Sequence, residues 1–141
     1  AKTALRWPRG HKDQMVQWND GPGGADLAAV TQQLGTVMQD IAAQLYPKAT
    51  LACVGLGSSV EKARNAPPIP DTAMQRAYTS ALADLADAVT DCRYALDTQL
   101  LDKEDEQVSV DKHLLSQAMT KFATGSGLLY TATADIRLLH R

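Results

Sequence analysis

Apolar side chains recur every seven positions along much of this chain, and each ladder of large residues runs beside a ladder of small ones. Leu82, Val89 and Leu96 stand with Ala81, Ala88 and Ala95; Leu115, Phe122, Leu129 and Ile136 stand with Ala118, Gly125 and Ala132. A seven-residue spacing keeps a stripe on one side of an α-helix, and small side chains in it let a partner helix approach closely. Between the two sets lies the acidic segment Asp102-Lys103-Glu104-Asp105-Glu106. Folding back there sets Ala95 opposite Ala118, Ala88 opposite Gly125, and Ala81 opposite Ala132. The pattern predicts a long antiparallel hairpin. One helix begins at Asp71 or Thr72 and runs to about Leu101; the other begins at Ser109 or Asp111 and runs nearly to the C-terminus. The apolar repeat passes through Gly125 and Gly127 without a change of phase, so the last helix is expected to continue there.

Upstream, Leu27, Val30, Leu34, Val37, Ile41 and Leu45 alternate spacings of three and four, the mark of a helix with one buried face. This helix is expected from Ala25 or Asp26 to Tyr46, with Asp26 as cap or first-turn acid and Pro47 ending or bending it. Beside it Ala28, Gly35 and Ala42 form a third small ladder, which needs a packing partner in this chain or another. Between Ala49 and Ala66 the pattern is weakest: its β-branched and glycine content allows a short strand at Thr50 to Val54, but a short helix through Val60-Glu61-Lys62-Ala63-Arg64 is expected instead, because nothing else offers a strand partner. Ala66-Pro67-Pro68-Ile69-Pro70 reads as an extended connector. Residues 1–24 read as an N-terminal arm, broken by Pro8, Gly10 and Gly21-Pro22-Gly23-Gly24; residues 25–141 form the bundle. The fold class is therefore all-α: an elongated antiparallel helical bundle of three long helices and one short helix, with an extended arm.

Composition narrows the functional classes. The 141 residues are 45% hydrophobic and 21% charged, ordinary values for a globular domain, with aromatics at only 5%. A core of Ala, Leu and Val favours close helix packing. A net charge of −2 gives no general attraction to nucleic acid or anionic membranes. No apolar run approaches the roughly 20 residues that span a bilayer. The start of the chain lacks the apolar segment of a signal peptide, and its first residue, Ala1, fits either loss of an initiator Met or an excised mature fragment. A cytoplasmic protein is expected, with Cys53 and Cys92 as separate, buried, reduced thiols.

Candidate chemistry is sparse. His113 precedes Leu114-Leu115-Ser116-Gln117, where a phosphoacceptor helix would carry Lys and Gly, so it reads as a solvent-facing first-turn histidine. No Glu-x-x-His pair occurs, and two cysteines do not make a four-ligand site. Asp84, Asp87 and Asp91 share one helix face and read as a solvated acidic surface. Gly21-Pro22-Gly23-Gly24 lacks the Lys-Ser/Thr ending of a nucleotide loop. No catalytic residue, cofactor or metal is expected, and no enzyme activity.

The strongest interaction signal is the arm. Arg6, Trp7, Arg9, Lys12 and Trp18 combine cations with the chain's two tryptophans, a composition suited to a protein surface more than to nucleic acid. At least one tryptophan is expected to be buried, against this bundle or a neighbour. The functional expectation is a non-catalytic structural or assembly subunit, forming a homo-oligomer or binding a protein partner. The alternative is a ligand-binding or regulatory helical domain with an apolar pocket between helices, near Tyr78, Tyr130 and Phe122.

Overall fold

The structure, a computed structural model, describes residues 11–101 and 111–138. Six helices and no strand occur among them: α1 His11–Asp20, α2 Pro22–Ala42, α3 Tyr46–Arg64, α4 Thr72–Leu101, α5 Lys112–Ala132 and α6 Ala134–Arg137. The all-α bundle is thus present, built on four long helices rather than three. Helices α2 to α5 pack in succession, and α2 also touches α5, which closes the ring of four. The acidic segment 102–110, expected as the hairpin tip, lies outside the described residues.

The α4–α5 hairpin follows the small ladders. Ala81, Ala88, Ala95, Ala118, Gly125 and Ala132 are all buried, with Leu85, Leu96 and Phe122 between them. Asp91 of α4 pairs with Lys121 of α5 within one residue of the expected register, and the side chain nearest a Cβ on Gly125 would be Leu85, one turn from Ala88, at 2.6 Å. Capping fixes both helix starts: Asp71 Oδ1 accepts the Met74 N–H and Asp111 Oδ1 accepts the Leu114 N–H, each at 3.0 Å. Helix α5 continues unbroken through Gly125 and Gly127.

Three expectations are corrected. Residues 11–20 form helix α1 where an arm was expected, and α2 begins at Pro22, the first helical position that proline tolerates best. Asp26 therefore lies beyond the first turn, buried, with its Oδ1 3.8 Å from Lys62 Nζ. The glycines explain the sharp return of α1 onto α2. A Cβ on Gly24 would fall 1.7 Å from the Asn19 carbonyl oxygen, and one on Gly23 would fall 2.2 Å from the Trp18 ring.

Second, α2 ends before Tyr46. Gln44 takes a positive φ of 61°, Leu45 N–H bonds to the Asp40 carbonyl at 2.9 Å, and Gln44 N–H bonds to the Ile41 carbonyl at 2.9 Å. This pair of bonds closes a Schellman-type C-terminus. Pro47 then opens the next helix instead of ending the previous one, and α3 extends over 19 residues, far beyond the short helix expected.

Third, the cysteines are joined. Cys53 Sγ and Cys92 Sγ are bonded at 2.01 Å, tying α3 to α4 with both residues fully buried. The expectation of separate reduced thiols is overturned. Each cysteine sits on the inner face of its own helix, and only the α3–α4 packing brings those faces together. Among the described residues no helix is long and apolar enough to cross a membrane.

Candidate functional site

The run Leu51-Ala52-Cys53-Val54-Gly55-Leu56 is apolar on every side of a helix, and a helix of that kind needs two contact surfaces. Cys53, Leu56, Val60 and Ala63 form the inner one, fully buried or nearly so. The outer face of α3 carries Leu51, 75% exposed, and Val54, 45% exposed, one turn apart. Lys48, Ser58 and Glu61 continue that face at helical spacing, all exposed, with Gly55 half-buried beside Val54. The all-round apolarity was the sequence signal for this surface.

A second feature lies between α2 and α5–α6. It is a predominantly apolar groove of about 580 Å³, lined on one side by Leu27, Leu34, Gly35 and Met38 and on the other by Leu129, Tyr130 and Ile136. Among the described residues the third small ladder therefore meets no packing partner. Ala28 and Gly35 open onto the groove, and among the described residues a Cβ on Gly35 would find nothing within 4 Å. Of the residues expected around a pocket, Tyr78 and Phe122 are buried in the closed core, while Tyr130 lines the groove. Arg137 stands at its α6 end, with its guanidinium carbon 3.6 Å from the centroid of Tyr130 and its Nη1 donating to Thr133 Oγ1 at 3.1 Å.

The residues singled out from the sequence are dispersed. Arg6, Trp7 and Arg9 lie outside the described residues. Lys12 is exposed on α1. Trp18 is buried in the chain's own core, where its indole stands edge-on to Tyr78 with ring centroids 6.0 Å apart. The expected buried tryptophan is found there. On the acidic face of α4, Asp91 Oδ2 lies 2.7 Å from Lys121 Nζ of α5. Hydrogen bonding to Asp91 pushes the Lys121 pKa up, against a smaller opposing effect of desolvation, and the charges of Asp91, Asp87 and Asp84 add to the rise. His113 is exposed on the first turn of α5, with its Nε2 3.2 Å from Gln117 Nε2. Among the described residues no group of three or more His, Cys, Asp or Glu side chains gathers in a metal-binding arrangement.

Comparison with known proteins finds no match to this chain among family models, curated proteins or solved structures.

Proposed function

We propose that this chain is a non-catalytic assembly subunit that self-associates through the outer face of α3. The observation that carries the reading is Leu51, a large apolar side chain three-quarters exposed in the middle of a bundle helix, with Val54 beside it. Self-pairing is favoured by the order of residues along the face. When two copies of α3 run antiparallel across a two-fold axis between Val54 and Gly55, Val54 meets the second copy's Gly55 and Leu51 meets its Ser58. Lys48 then meets its Glu61. Large residues fall against small ones and opposite charges face each other, the self-complementarity that an isologous dimer requires.

The arm residues Arg6, Trp7, Arg9 and Lys12 enter this proposal as an additional partner contact. Trp18 does not, because its ring is occupied within the fold. The compartment is also revised. A disulfide between buried cysteines supports an oxidising environment over the cytoplasmic setting expected from the sequence.

The test is native mass by sedimentation across a concentration series. The parent chain is expected at twice its monomer mass, and Leu51→Glu is expected as a monomer with unchanged helical circular dichroism. Lys48→Glu should weaken the dimer, and adding Glu61→Lys should restore it. A parent chain that is monomeric at every concentration, or a dimer indifferent to Leu51→Glu, would overturn the proposal. Deleting residues 1–10 tests the arm separately: an unchanged mass and stability removes it from the interface.

A further inference from the structure

We propose that the groove between α2 and α5–α6 is a binding site for a free long-chain fatty acid, with its carboxylate on Arg137. The site is distinct from the outer face of α3, and the inference stands whether or not the chain dimerises.

Three observations carry it. The first is shape. Helices α2 and α5 touch each other, and the groove runs along their line of approach as an elongated apolar slot. The groove follows α2 from Gly24 to Met38, about 21 Å at helical rise, the reach of an extended long acyl group. Its volume of about 580 Å³ falls within the usual range for small-molecule sites.

The second is lining. Leu27, Met38, Leu129 and Ile136 supply apolar walls, and the missing side chain at Gly35 leaves depth. Thr31, which also borders the groove, already donates its hydroxyl to the Leu27 carbonyl at 2.9 Å, so it asks little of a ligand.

The third is charge. Arg137 is the one charged residue among the described residues lining the groove, and it sits at one end. Among the described residues its side chain contacts the Tyr130 ring and the Thr133 hydroxyl, neither of them anionic. A guanidinium carries five N–H donors in a planar fork that fits a carboxylate bidentately. The ring beneath and the hydroxyl beside it hold that fork at the mouth of an apolar slot. An amphiphile with one anionic end matches this polarity, whereas a neutral lipid would leave the exposed guanidinium to water.

The test uses the full chain and monomeric oleate below its micelle concentration, read by displacement of cis-parinaric acid and by native mass spectrometry. One oleate per chain is expected to bind saturably, with oleyl alcohol at least about tenfold weaker, as loss of a charge-assisted hydrogen bond predicts. Arg137→Gln should bring oleate down to the level of the alcohol and leave the alcohol unchanged. Gly35→Leu fills the slot at a position with open space, so the fold is retained while both ligands lose binding. The proposal is overturned if oleate does not saturate at one per chain, if Gly35→Leu leaves binding intact, or if Arg137→Gln affects acid and alcohol alike. Association with phosphatidylcholine–phosphatidylglycerol vesicles without binding of monomeric oleate would likewise overturn it, in favour of a membrane surface.

Discussion

Trp18 donates its indole N–H to the carbonyl oxygen of Pro67 at 2.7 Å, tying α1 to the connector between α3 and α4 across 49 residues of sequence. A ten-residue helix is too short to persist alone, so α1 depends on this docking. Trp18→Phe keeps an aromatic ring but leaves the carbonyl without its donor. A loss of about 1–2 kcal/mol is expected, against about 3–5 kcal/mol for Trp18→Ala. Urea midpoints measure both, and a Trp18→Phe variant as stable as the parent would remove the bond from the account.

The glycines should respond with opposite signs. Gly24→Ala drives a methyl into the Asn19 backbone, which has little freedom to move, and should cost about 1–3 kcal/mol. Gly35→Ala meets open space inside a helix and should stabilise by about 0.5–1 kcal/mol. Paired thermal melts decide this, and equal shifts for the two variants would contradict the packing described.

The disulfide closes a loop across a sequence separation of 39. On the chain-entropy model its loss should cost about 4 kcal/mol at 25 °C. Unreduced protein unfolded in guanidinium should take up no iodoacetamide, and after reduction it should take up two equivalents. Labelling without reductant would mean that the thiols are free.

Tyr78 gives the stability a pH dependence at the alkaline end. Burial, with a smaller contribution from the charge of Asp26, pushes its pKa up from 10.0 to about 12. The folded state therefore holds the phenolic proton more tightly than the unfolded chain. Its contribution is complete below pH 10 and is lost as pH rises from there through about 12, a fall of about 2–3 kcal/mol at most. The hydroxyl is buried without a hydrogen-bond partner, so Tyr78→Phe should cost little at pH 7 and should flatten the decline. Urea titrations at pH 8 and pH 11 compare the two proteins; parallel declines would exclude Tyr78 as the source.

The periodicity of the chain by itself determined that it is helical. It also set the extent of α4, the starts of α4 and α5 to within a residue or two, and which residues of the α4–α5 seam are buried, because these depend on spacing and on bonds between near neighbours. What the tertiary structure decided lies where two distant surfaces meet. The first two-thirds of α3 is not predicted, because its run 51–56 is apolar all round and shows no single stripe; only its neighbours determine that Cys53 faces inward and Leu51 outward. The disulfide follows from that choice of face, since Cys53 and Cys92 must be brought to a Cα separation of 6.6 Å by packing. The clearest case is a pair of glycines in matching seven-residue ladders. Gly125 is buried against Leu85, while Gly35 opens onto a groove that none of the described residues fills. Both ladders announce a close approach of something, and the sequence holds no information on which of them its own chain would satisfy. That depended on how far α5 and α2 could approach once α3 and α4 had set the spacing of the bundle.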